Sequence, residues 1–228
     1  MRAHQYGPIA VLVVVLALAF ALVSGATSAP ETSEDAVAVA RAYVAKNAAE
    51  LGVTRADVSD LAVTSAYRSR HNGVTHVNLN QHYRDLEVFG GHGTVNVAAD
   101  GSVVFVGESF AAGLNLEASG DAKVGAAGAV EAAAEELALA EPVDLRVLSK
   151  SGGPSQKTVL SGGGISDEPI PARLGWQPAK GGLRLAWQLT IDDSSAEHRW
   201  NATVDAASAR CSASTTGRVR TVSGTSAT

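Results

Sequence analysis

The chain has 228 residues, 18 Lys and Arg against 23 Asp and Glu for a net charge of −5, 46% apolar and 5% aromatic residues, and one cysteine. That composition is too apolar for a disordered tail, and it supplies no cationic field to hold nucleic acid or an anionic membrane. The length fits one small domain or two very small ones without disulfide staples, and Cys211, lacking an intrachain partner, reads as a half-buried strand residue.

Arg2 is followed by an uncharged run whose apolar centre, Ile9 to Val23, leads into small residues from Ser24 to Ala29 and then Pro30-Glu31. This predicts a secretory signal peptide over residues 1–29, cleaved after Ala29 or after Ala26. As a helix the run reaches only about 22 Å, against the roughly 30 Å that a bilayer core requires. No Lys/Arg stop-transfer cluster follows and no cysteine stands at the leader's end. The mature protein is therefore expected to be secreted, without a lipid anchor and without stable membrane association.

Ser33-Glu34-Asp35 has helix-start chemistry, and Ala36, Val37, Val39, Ala40, Tyr43, Val44 and Leu51 follow at three-to-four spacing. A first helix is predicted from about Ser33 to Leu51, capped by Ser33 and stopped by Gly52. From Leu61 the period changes. Val77, Leu79, Gln81 and Tyr83 alternate with His76, Asn78, Asn80 and His82, the pattern of a half-buried strand. Arg84-Asp85 turns the chain into Leu86 to Phe89, Gly90-Gly91 breaks or bulges it, and Asp100-Gly101 turns Thr94–Ala98 into Ser102–Gly107.

The pattern then restarts. Lys123 to Ala140, rich in Ala and Glu, predicts a second helix ended by Glu141-Pro142, and Val143 to Leu148 resumes strand character. Glycine-rich loops surround a short Val159-Leu160 segment. Leu183 to Ile191 alternates strictly, Asp192 to Ser195 turns, and His198 to Val204 returns as an antiparallel partner. From Ser212 onward a loose tail is expected. The fold class is α+β: two helix-plus-antiparallel-sheet modules after a signal peptide.

Catalytic motifs are absent. None of the six histidines is followed by Glu or by a second His four residues on, as a zinc hydrolase helix requires. His71, His76, His82 and His92 crowd one meander, but Asn78 and Asn80 between two of them favour a solvent-facing row. Gly107-Glu108-Ser109-Phe110-Ala111 lacks the second glycine of a nucleophile elbow and reads as a strand end, and Gly152 to Thr158 lacks the glycine before Lys157 that a phosphate loop needs. The acid pairs Glu135-Glu136, Asp167-Glu168 and Asp192-Asp193 sit in turns or on a helix flank, where solvated faces are the default. Trp187 lies at a core position of its strand, which argues against a carbohydrate platform with Trp176 and Trp200. Asn201-Ala202-Thr203 is a glycosylation sequon, meaningful only in a eukaryote.

The segment Thr75 to His92, with its Gln81-x-Tyr83-x-x-Leu86-x-Val88-Phe89-Gly90-Gly91 core, the Asp100-Gly101 hairpin and Val103 to Gly107, resembles the N-terminal propeptide of secreted zinc metallopeptidases of the thermolysin and fungalysin type. The second half, with Leu185 to Leu189, His198-Arg199-Trp200 and Val204-Asp205-Ala206, is similar to the PepSY-like module of those propeptides, although Ala206 to Ala209 lacks the glycine of its last hairpin. The resemblance implies cystatin-like modules over residues 30–112 and 113–213, ahead of a disordered tail over 214–228. It also implies that this chain is not an enzyme and holds no cofactor, zinc belonging to a catalytic domain that the sequence does not contain.

Such propeptides guide the folding of the catalytic domain and cover its cleft, so the expected partner is a metallopeptidase catalytic domain, in cis or in trans. A truncated metallopeptidase precursor is the other origin the ending suggests, and an unrelated secreted ligand binder is a reading of a different class. For the contact surface, the resemblance points to Gln81, Tyr83, Leu86, Val88, Phe89, Gly90 and Gly91. The same residues also suit a core, with the glycines serving backbone geometry.

Overall fold

The computed structural model describes residues 33–114, 118–119, 121–193 and 198–217, so the expected signal peptide and its cleavage point at Ala29 lie outside the described residues. Helix α1 (Ser33–Lys46) precedes strands β1 (Leu61–Arg68), β2 (Thr75–Tyr83), β3 (Leu86–Val97) and β4 (Val103–Glu108). The short β5 (Ala118–Ser119) and helix α2 (Ala126–Glu136) lead to β6 (Val147–Lys150), β7 (Thr158–Leu160), β8 (Ile170–Ala179), β9 (Gly182–Asp192), β10 (His198–Asp205) and β11 (Cys211–Gly217).

These strands form one mixed sheet in the order β1-β2-β3-β8-β9-β10-β11, with β4 beside β3, β7 and then β6 beside β8, and β5 beside β9. The α+β class expected from the sequence is what the structure has. Ala36, Ala40 and Val44 of α1 pack on Val77, Leu79, Val95 and Val97, while Ala129, Val130, Ala133 and Ala134 of α2 pack on Leu174, Trp187, Leu189 and Val204. A third cluster, Leu86, Val88, Leu114, Trp176 and Leu183, lies where the two helix-covered regions meet. There the sheet continues through a single parallel pair, Val88 opposite Trp176.

Several elements differ from expectation for identifiable reasons. Regular α1 stops at Lys46, with Ser33 its first helical residue and not its cap, but the chain keeps winding to Gly52. There a left-handed φ of +73° lets Val53 N–H reach Ala48 O at 3.0 Å. Helix α2 is shorter than predicted at both ends. The amides of Lys123 and Val124 both bond to Ala206 O at 2.9 Å, and at the far end Ala138 turns left-handed (φ +53°) while Leu139 N–H bonds back to Ala134 O at 2.9 Å.

Strand β8 has no counterpart in the sequence reading, and β6 begins later than Val143. The loose tail expected from Ser212 is corrected through Gly217, because those residues pair in antiparallel register with β10, from Val204 opposite Cys211 to His198 opposite Gly217. Residues 218–228 lie outside the described residues.

Candidate partner-binding surface

The hairpin between β2 and β3 carries the residues singled out from the sequence, and their placement starts from backbone geometry. Arg84 and Asp85 both adopt left-handed φ, +48° and +63°, the two-residue turn whose twist matches antiparallel strands. Gly90 follows at φ +78°, beside a register shift between Asn80 and His82, so β3 bends. Its first part then lies against β8 and its second part against β4.

Inside the bend Gln81 is fully buried, 0% exposed. Its Nε2 donates to Asp57 O at 2.9 Å and to Ala111 O at 2.8 Å, while its Oε1 accepts the Ala111 N–H at 2.8 Å. Gly91 completes the fit, since a Cβ there would stand 2.5 Å from Gln81 Oε1. Asp57, also buried, binds the same returning segment: its Oδ1 accepts Leu114 N–H at 2.9 Å, and its Oδ2 accepts Thr54 N–H at 2.9 Å and Thr54 Oγ1–H at 2.8 Å. Burial raises the Asp57 pKa, but the bonds from Thr54, Leu114 and Gly113 outweigh it and hold the carboxyl below its usual range.

Leu86, Val88 and Phe89 are interior as well. Phe89 lies under the Arg173 guanidinium, 5.1 Å from ring centroid to Cζ, and packs on the bare face of Gly175. Arg173 forms a two-pronged ion pair with Glu87 and donates to Gln188 Oε1 at 2.7 Å. Burial raises the Glu87 pKa, and hydrogen bonding and charge from Arg173, with smaller help from His82 and Asn80, bring it below the usual range. Tyr83 is half-buried; its carbonyl accepts Trp176 Nε1–H at 2.8 Å and its ring meets the Trp176 indole edge-on at 6.3 Å. Of the seven residues named from the sequence, Gly90 is exposed, Tyr83 is half-buried, and the other five form the interior of the bend.

The surface of this region lies on the strand faces turned away from α1. Tyr67, His76, Asn96 and Phe105 stand opposite one another in register across β1, β2, β3 and β4. Tyr67 stacks on His76 at 4.9 Å, and His76 is held between Asn96 Oδ1 at 2.8 Å and Ser69 Oγ at 2.9 Å. Tyr67 and Phe105 are 55% and 54% exposed, large for aromatic side chains with fixed neighbours. A second row, Ser65, Asn78 and Thr94, is joined by bonds of 2.8 and 2.6 Å. The sequence reading saw the polar alternation of β2 but not Tyr67 or Phe105, whose exposure depends on the register of β1 and β4.

Among the described residues no group of three His, Cys, Asp or Glu side chains is placed to hold a metal ion. Trp176 and Trp187 are interior, the latter donating its indole N–H to Val124 O at 2.7 Å, so the three tryptophans form no common platform. Among the described residues no helix is long and apolar enough to cross a membrane.

Residues 59–110 match the family described as Fungalysin/Thermolysin Propeptide Motif, a span that begins just before β1 and ends just after β4. Over 124 residues the chain is 32% identical to the extracellular metalloproteinase MEP of Leptosphaeria maculans; the alignment covers 53% of this chain and 19% of that protein. The chain thus spans about a fifth of that relative's length. Among solved structures, the Bacillus megaterium YpeB C-terminal domain aligns at a TM-score of 0.30 and 7% identity, over 84% of this chain and 68% of that one, a likeness too loose to carry a fold.

Proposed function

We propose, from the premise that residues 59–110 are a fungalysin/thermolysin propeptide motif, that this chain acts as the propeptide of a metallopeptidase catalytic domain, covering its cleft and assisting its folding. The match over residues 59–110 is the observation that carries the reading, and the similarity to an extracellular metalloproteinase supports it. In this proposal residues 1–29 direct secretion, residues 113–213 form the PepSY-like module, and the catalytic domain is supplied in cis by a longer precursor or in trans by another chain. Zinc belongs to that domain.

The physical basis is a division of labour within the motif. Gln81, Leu86, Val88, Phe89 and Gly91 make the bend rigid, so the surface it supports is ordered before any partner arrives. A preordered sheet offers a folding partner contacts without a new loop-closure cost, and the bound sheet excludes substrate by occupying the same space. The contact is assigned to the row of Tyr67, His76, Asn96 and Phe105, with Tyr83 and Gly90 at the bend.

The test is inhibition of a thermolysin-like protease by the purified chain, alongside the refolding yield of that protease with and without it. Slow, tight inhibition that Phe105→Ser weakens at least about tenfold, with an unchanged melting curve, is the expected result. Failure of the folded chain to inhibit or to aid refolding of any such protease overturns the proposal, as does peptide hydrolysis by the chain alone.

A further inference from the structure

The helix-free side of β6 to β9 holds a cleft of ≈ 310 Å³, at the lower end of the roughly 300–1,000 Å³ range of small-ligand sites. Its lining residues lie outside residues 59–110 and outside the row of Tyr67, His76, Asn96 and Phe105. Its lining contains Lys157 and Arg173 and no Asp or Glu, in a chain whose acids outnumber its bases.

The donors there are unevenly engaged. Arg173 is matched by Glu87, which stands outside the lining. Gln188 gives only its oxygen to Arg173, and no protein acceptor among the described residues takes its Nε2–H groups. Lys157 likewise has no carboxylate partner among the described residues. Ser149 and Ser151 add hydroxyls on the same wall, and Val159 and Pro171 supply apolar surface beside them. Donor groups without acceptors, next to an apolar floor, form a recognition site for an oxyanion on an apolar body.

We propose that this cleft binds the carboxylate of a peptide's C-terminal residue, with Lys157 as the charge partner, the Gln188 amide as the neutral donor, and the small apolar last side chain against Val159 and Pro171. Arg173 acts as a positioning residue: by holding the Gln188 oxygen it turns the amide nitrogens toward the ligand.

Titration calorimetry of the folded chain with acetyl-Ala-Ala-Val, its C-terminal amide, and the same amide with an internal Glu tests this directly. The free acid should bind at least about tenfold more tightly than the plain amide, and Lys157→Ala should remove that preference. Gln188→Glu should abolish binding of the free acid while leaving the melting curve intact, because the new carboxylate keeps the Arg173 contact and repels the ligand. If the internal-Glu amide matches the free acid, the carboxylate site stands and its source is a side chain. Equal binding of acid and plain amide, no binding of any peptide, or an unchanged preference in Lys157→Ala overturns the proposal.

Discussion

Gln81 and Ala111 exchange two hydrogen bonds, side chain to backbone, across 30 residues of sequence. The amide side chain thus does for the segment after β4 what a neighbouring strand would do, accepting its N–H and donating to its C=O. Replacing Gln81 by Leu would leave the Ala111 and Asp57 backbone groups without partners in an interior site. At about 1–3 kcal/mol for each of these three groups, Gln81→Leu should destabilise the fold by about 3 kcal/mol or more, read from urea denaturation. An unchanged midpoint would show that water satisfies those groups.

Gly91 is required by the same lock. Gly91→Ala should cost about 1–3 kcal/mol through overpacking, and in Gln81→Ala, where the obstructing amide is gone, much less. A double-mutant cycle on these two positions measures the coupling, and strict additivity would contradict the close approach.

Phe89 joins β3 to β8, and its truncation opens a cavity under Arg173. Phe89→Ala should lower stability by about 3–5 kcal/mol in a thermal or urea melt. A melt that stays in place, with only partner binding weakened, would assign Phe89 to the surface instead.

Acid should loosen the molecule, and Asp57 and Glu87 are two of the groups through which it acts. Asp57 and Glu87 both have folded-state pKa values below their usual ones, so between folded and unfolded values the unfolded chain binds more protons and stability rises with pH. Their contribution is complete above the ordinary carboxylate range, about pH 4, and is lost as pH falls through the lowered values. Urea midpoints from pH 6 down to pH 2.5 should decline in wild type and decline less in Asp57→Asn. A flat wild-type profile would rule the linkage out.

Cys211 should be a poor nucleophile. Burial, helped by the charge of Glu136, pushes its thiol up to about 11. At pH 8 only about one molecule in a thousand then carries the thiolate, and alkylation by iodoacetamide should be slow until urea unfolds the chain. Rapid labelling of the folded protein would show that β11 leaves β10 readily.

Much of this architecture was readable residue by residue. The alternation from Val77 to Tyr83, the strict pattern from Leu183 to Ile191 and the Asp100-Gly101 turn each declare themselves locally, and β2, β9 and the β3–β4 hairpin follow. Strand β8 was hidden because Pro171, Gly175 and Pro178 read as breakers; Gly175 is there to admit Phe89, a reason that lies on another strand. Strand β11 was hidden because its Ser and Thr residues belong to an outer strand laid on β10, whose pattern alone does not announce a further partner. The Asp57–Leu114 and Glu87–Arg173 contacts span 57 and 86 residues, beyond any local pattern. The seven residues singled out from the sequence lie together because they form one hairpin, but whether each faces inward depended on the bend at Gly90.

That inwardness bears on how such a chain can change over time. The side chains that make the motif recognisable are mostly those a partner cannot touch, so resemblance at Gln81, Phe89 and Gly91 reports an inherited chassis and is silent about its cargo. Tyr67 and Phe105 sit outside that constraint, so the fold alone does not dictate their identity. Two chains could share the lock between Gln81 and Ala111 and still present unrelated faces, and a new specificity could be grafted onto the outer row without rebuilding the frame beneath it.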